Sequence, residues 1–106
     1  FNPITIWELS EEIQFLIEND KFERTIFHIA GSENITKYDF GLKLLKELKL
    51  NYKNVDQGSI NDFKKRAKRA GDQTLSVSLY QKRFNKVLPN INKSLETIKK
   101  FYYEKY

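Results

Sequence analysis

Cysteine is absent, which excludes disulfides and thiolate metal sites and fits a reducing compartment. Histidine occurs once, at His28, leaving almost no scope for a zinc site or a histidine-based triad. Methionine is absent as well and the chain opens at Phe1, so a piece of a longer protein is expected in preference to a processed terminus. Apolar runs are far shorter than a membrane span requires, and no basic, apolar, small-residue leader stands at the start. No membrane partner is expected, and the cytoplasm is the expected location. Repeats and low-complexity segments are absent too.

What is present amounts to one domain, residues 1–106, long enough to bury about two thirds of the surface its unfolded chain exposes. A net charge of +5 invites a nucleic-acid reading, and the densest basic run, Lys64-Lys65-Arg66-Ala67-Lys68-Arg69, could hold phosphates non-specifically. The remaining cations are scattered among acids, as in Lys46-Glu47-Leu48-Lys49, and no nucleic-acid-binding signature accompanies them. A solvated basic face is the preferred reading, and no nucleic-acid partner is expected.

Residues 25–48 organise the chain. Thr25-Ile26-Phe27-His28-Ile29-Ala30 is β-branched and aromatic, flanked by turn formers, and reads as a strand buried on both faces. Thr36 with Asp39 three residues on caps a helix, in which Tyr38, Leu42, Leu45 and Leu48 line one face and Lys43 faces Glu47 at i, i+4. Residues 50–56 make a weaker second strand, set parallel to the first by a right-handed crossover. The fold class expected is therefore α/β: a small helix-rich domain with a short two-stranded parallel sheet in strand-helix-strand order.

Around that unit, Thr5-Ile6-Trp7-Glu8 is a capping box, and Ile6, Leu9, Ile13, Leu16 and Ile17 give the first helix an apolar face through Asn19. Asp20 and Lys21 follow its end. His28 reads as a core or sheet-face residue with no catalytic role. Residues 58–72 read as a loop with at most one helical turn, capped by Ser59 and Asp62 and anchored by Ile60 and Phe63. A short helix over 78–85 is broken at Val87-Leu88-Pro89, and Ser94 is expected to cap a final helix bearing Leu95, Ile98, Phe101 and Tyr102 on one face.

The loop carries the candidate chemistry in Arg66, Arg69 and Asp72. A guanidinium fork bonds two oxygens of a diphosphate at once, and a carboxylate close by can accept from ribose hydroxyls. A basic loop closed by a Gly-Asp turn accounts for the same residues without a ligand.

Taken in order, Trp7-Glu8-Leu9-Ser10-Glu11-Glu12-Ile13, Ile26-Phe27-His28-Ile29-Ala30-Gly31, Ile35-Thr36-Lys37-Tyr38-Asp39-Phe40, Lys68-Arg69-Ala70-Gly71-Asp72 and Ser94-Leu95-Glu96-Thr97 resemble the C-terminal part of an extended short-chain dehydrogenase/reductase. The second and third motifs are most similar to dTDP-4-dehydrorhamnose reductases; Arg69-Ala70-Gly71-Asp72 is nearer to UDP-sugar epimerases, since the reductases usually carry Arg-Pro. The family's Leu-Asp-x-Ser-Lys pattern appears here as Leu75-Ser76-Val77-Ser78-Leu79.

The resemblance implies the substrate-side lobe of a Rossmann-type enzyme, with a dTDP- or UDP-linked sugar as ligand. It places Arg69 on the nucleotide diphosphate and Asp72 at a ribose hydroxyl. It also implies an N-terminal Rossmann domain holding NADH or NADPH. Neither the Gly-x-x-Gly-x-x-Gly turn nor the catalytic Tyr-x-x-x-Lys is found in the chain: Tyr102 has Tyr106 four residues on and Tyr38 has Leu42. No catalytic residue, metal ligand or cofactor site is therefore assigned, and the chain alone is expected to be inactive. Self-association through a surface stripped of its Rossmann domain is a further expectation. The competing readings are an epimerase or dehydratase of the same superfamily, a small basic nucleic-acid-binding domain and a plain interaction module.

Overall fold

The computed structural model describes residues 1–19 and 24–105. Four helices follow one another: α1, Ile6–Glu18; α2, Lys37–Glu47; α3, Ser78–Phe84; and α4, Ile91–Lys105; a single 3-10 turn, Ile60–Asp62, lies between α2 and α3. Three of the four caps read from the sequence are in place, and the fourth, Ser94, is not a cap. Thr5 accepts from the Glu8 amide while the Glu8 carboxylate reaches back to the Thr5 amide. Thr36 accepts from the Asp39 amide at 3.1 Å, and Ser59 and Asp62 close the same reciprocal box on the 3-10 turn.

The expected two-stranded parallel sheet is not formed; the described residues contain no strand, and the domain is all-helical. Two local causes account for this. Lys49 takes a left-handed φ of 56° as the chain leaves α2, and residues 50–56 turn on themselves through Lys53 N–H to Asn51 Oδ1 and Val55 N–H to the Tyr52 carbonyl. The other segment, 25–30, forms no regular element, and the backbone just beyond it bonds elsewhere: Gly31 N–H to the Asn2 carbonyl at 3.2 Å and Ser32 N–H to the Pro89 carbonyl at 2.9 Å. Phe27 and Ile29 pack against the core while Ile26 and His28 before and between them are exposed. His28 is thus a surface residue and not a core one.

Asn2 joins three distant stretches. Its amide donates to the Gly31 carbonyl at 3.0 Å and the Leu75 carbonyl at 2.8 Å, and its oxygen accepts from the Leu75 amide at 2.9 Å. The glycine at 31 serves close backbone approach and not a turn, since a Cβ there would lie 2.1 Å from the Pro3 carbonyl oxygen.

The core is small: Ala30, Val77, Tyr80 and Leu88 are buried together, with Leu16, Phe27, Ile29 and Phe84 packed against them. Phe15, Phe27, Tyr80 and Phe84 meet ring to ring at centroid separations of 5.0–5.8 Å. On the other side of α1, Trp7 stacks on Phe101 of α4 at 4.2 Å with the planes 2° apart. Tyr103 of α4 donates to the Leu48 carbonyl at 2.9 Å, and Glu47 pairs with Lys99 at 3.5 Å across α2 and α4 instead of with Lys43 along its own helix.

Helix α1 does not bury the face its apolar spacing implies. Ile6, Ile13 and Ile17 are 70%, 46% and 59% exposed, whereas Glu8 and Glu12 are buried. Glu8 Oε2 accepts from Thr5 N, Thr5 Oγ1 and Ser94 Oγ, and Oε1 from Thr97 Oγ1. Glu12 Oε2 accepts from the Tyr80 hydroxyl at 2.5 Å and the Lys86 ammonium at 2.8 Å. Burial first, then donation to Glu12 and the negative charge there, push the Tyr80 phenol above the ordinary tyrosine range. Asn85 closes α3 in the left-handed region, φ 49° and ψ 50°, and the chain turns so that Lys86 reaches Glu12 and lies 3.8 Å over the Phe15 ring.

Ser94 therefore lies within α4 as a buried donor to Glu8. The chain enters α4 one turn earlier, at Asn90, whose Oδ1 accepts from Lys93 N–H. Helix α1 ends at Asn19, as expected, and Asp20, Lys21 and the two residues after them lie outside the described residues.

Glu8→Ala strands the Thr5 and Ser94 hydroxyls and the Thr5 amide and should cost about 3 kcal/mol in urea unfolding, whereas Glu8→Gln should cost only about 1 kcal/mol. The amide oxygen can keep the Oε2 contacts, and its NH2 can donate to Thr97 Oγ1, which then donates to the Lys93 carbonyl it already faces at 3.0 Å. Equal losses in the two variants would show that the network does not hold α1 to α4. Gly31→Ala should cost about 2 kcal/mol or more by the same measurement, because the added carbon meets backbone that cannot swing away.

Candidate functional site

Residues 56–76 are exposed throughout and contribute no buried side chain of their own. Their order is local and polar. The Asp62 carboxylate accepts from Ser59 N–H at 2.8 Å, Ser59 Oγ accepts from Asn61 N–H at 3.2 Å, and Phe63 and Arg66 continue the turn through backbone bonds of 3.3 Å to Ile60 and Phe63. Ile60 and Phe63 do not anchor the turn in a core: both are exposed, Phe63 by 54%. The Arg66 guanidinium instead lies 4.6 Å over the Phe63 ring, a cation–π contact that gives the long side chain one direction.

Arg66, Lys68 and Arg69 line one open cavity of about 270 Å³ with Ile60, Asn61 and Phe63. The structure thus gathers two of the three sequence-predicted residues, Arg66 and Arg69. Asp72 is not part of that lining. It closes an Asx turn, accepting from Thr74 N–H at 2.9 Å. Hydrogen bonding from the Thr74 side chain and then its amide holds the Asp72 carboxyl below the ordinary aspartate range.

Sequence reasoning passed over Asn61 and undervalued Phe63. The available signal was an aromatic residue directly before a basic run, which reads as core only if something covers it.

A second cavity, about 300 Å³, lies between Pro3, Trp7, Phe40 and Ile98. Its walls are almost wholly apolar and carry no titratable side chain, so it offers packing space and no chemistry. Among the described residues no cluster of His, Cys, Asp or Glu stands ready for a metal ion, and no helix is long and apolar enough to cross a membrane.

A dinucleotide cofactor needs a glycine-rich turn through which the backbone meets a pyrophosphate. The residues here do not supply one: Gly31 is packed against Pro3, Gly41 lies inside α2, and Gly58 and Gly71 stand alone in the loop.

A helical scaffold with its charged, unpacked loop on one side and no cofactor cradle has the character of a ligand-holding lobe. The chain belongs to the RmlD substrate binding domain family, whose model matches residues 2–103. It is accordingly a substrate-binding domain of the sugar-nucleotide reductase family. No curated protein and no solved structure matches the chain.

Because the Asp72 carboxyl is held down by bonds from Thr74, those bonds are present above its folded pKa and are lost as pH falls through it. The Thr74 amide resonance should follow that titration with a midpoint below about 3.9, the ordinary aspartate value, and the titration should vanish in Asp72→Asn. A midpoint at or above the ordinary value would show that the Asx turn does not persist in solution.

Proposed function

We propose that this chain is the substrate-binding part of an NAD(P)-dependent sugar-nucleotide reductase of the dTDP-4-dehydrorhamnose reductase type, working in the cytoplasm on the route to dTDP-rhamnose for cell-surface polysaccharide. The observation that carries the reading is the convergence of Arg66 and Arg69 on one open cavity in a domain of the RmlD substrate-binding family. Two arginines lining one space suit the four or more oxygens of a diphosphate better than they suit a single carboxylate.

In this reading Arg69 holds the diphosphate, Arg66 shares its charge, and Asp72 accepts from a ribose hydroxyl. The chain by itself is inert. Hydride transfer from a nicotinamide to the keto-sugar belongs to the intact enzyme, whose Rossmann domain we assign to the uncovered stripe of Ile6, Ile13 and Ile17. A UDP-sugar epimerase is the second reading, favoured by Ala70 where the reductases usually carry proline.

Titration of the 15N-labelled chain with dTDP or UDP should give weak, saturable shifts centred on Arg66, Arg69 and Asp72. Arg69→Ala should weaken binding roughly tenfold or more, the loss expected for a hydrogen bond to a charged group. Duplex DNA that binds with a steep salt dependence, while free nucleotides leave every amide unmoved, would overturn the proposal in favour of a polyanion surface.

A further inference from the structure

The diphosphate accounts for the arginines but not for Phe63. An aromatic ring that stays half exposed, in a loop whose every neighbour is exposed, adds nothing to the core and leaves apolar surface in water. One face of the ring is already covered by the Arg66 guanidinium at 4.6 Å, and the ring lines the same cavity as Arg69. The 3-10 turn sets Asn61 on that cavity as well.

We propose that Phe63 is the stacking platform for the nucleobase of the bound nucleoside diphosphate, with the Asn61 amide at the edge of the base. This rests on the nucleotide-sugar reading above and extends it from the diphosphate to the nucleoside. The chemistry is complementary at each part of the ligand. A base is flat, and its π-face packs on a phenyl ring whatever its substituents. An amide presents one donor and one acceptor side by side, which is the pattern along the edge of a pyrimidine.

Arg66 does double service in this arrangement. Its guanidinium lies over the ring and the residue lines the same cavity as Arg69, so the platform and the positive charge are offered to one ligand. Stacking and diphosphate binding are thereby joined through one residue, and a ligand lacking a base uses only half of the site.

The test compares UDP with inorganic pyrophosphate on the intact 106-residue chain and on Phe63→Ala, Phe63→Trp and Arg69→Ala, by calorimetry and by the proton spectrum of the nucleotide. Since the ring is solvent-exposed and outside the core, all four chains should unfold at the same urea midpoint. Phe63→Ala should weaken UDP on the order of tenfold, the usual loss for one base–aromatic stack, and leave pyrophosphate unchanged. Phe63→Trp should retain UDP, and Arg69→Ala should weaken both ligands. On binding, the ring protons of uracil should move upfield by the ring current of a stacked phenyl, and that shift should be gone in Phe63→Ala.

Equal binding of UDP and pyrophosphate by the unaltered chain, or equal effects of Phe63→Ala on both, would overturn the stacking inference and leave the diphosphate reading standing. Binding of neither ligand would overturn both. A single-stranded oligouridylate bound far more tightly than UDP, with steep salt dependence, would overturn the inference in favour of a nucleic-acid surface.

Discussion

Two carboxylates on one face of α1 hold this domain together. Glu8 collects donors from the start of its own helix and from Ser94 and Thr97 of α4, while Glu12, one turn on, collects the hydroxyl of Tyr80 on α3 and the ammonium of Lys86 beyond it. Removing a carboxylate from water is costly, and the cost is offset only where several well-placed donors replace the lost hydration. Here no buried side-chain polar atom among the described residues is left without a partner. The gain is direction. Apolar side chains in so small a core tolerate sliding and rotation, whereas a carboxylate holding a serine of α4 and its neighbour holding a tyrosine of α3 admit one mutual arrangement of the three helices.

The rest of the surface follows from that inward turn. With Glu8 and Glu12 facing the other helices, the isoleucines at 6, 13 and 17 face out, and α1 presents an apolar stripe where an isolated domain would present charge. The long connection between α2 and α3 is exposed from residue 56 to residue 76. The Cα radius of gyration, 16.3 Å, exceeds the roughly 13 Å of a compact chain of this length, which measures how much of the polypeptide lies outside the packed part. The binding groups proposed above lie in that exposed connection, where no packing demand competes for their side chains.

The sequence makes the helix starts legible, since Thr5 with Glu8, Thr36 with Asp39 and Ser59 with Asp62 act within three residues of one another. It makes Arg66 and Arg69 legible as a pair for the same reason. What it conceals lies across long separations: the partners of Glu8 and Glu12 stand 68 to 89 residues away, so period alone assigns α1 the wrong buried face. The strand reading of 25–30 fails because β-propensity describes fit to a half-buried pleated surface, and the intended neighbour, 50–56, is turned away by Lys49. The chain directly after that segment is held instead by Asn2 and Pro89, through Gly31 and Ser32. Phe63 illustrates the converse error, an aromatic residue assigned to a core when only the Arg66 guanidinium lies over it.

The projecting loop is tied firmly at both ends. Tyr103 holds the Leu48 carbonyl where it begins, and Asn2 holds both the amide and the carbonyl of Leu75 where it returns. Between those points three short side-chain turns, at Asn51, at Ser59 with Asp62 and at Asp72, restrict the backbone without burying it. Closing a loop grows more costly only slowly with its length, by about 0.6 kcal/mol for each doubling, so a long arm is tolerable once its ends are clamped. The local turns then reduce the ordering that a ligand must impose when it binds. A site built this way gains its affinity from a few charged and aromatic groups on partly ordered backbone, and it can change what it holds by substitutions in the arm while the carboxylate-bound helices stay as they are.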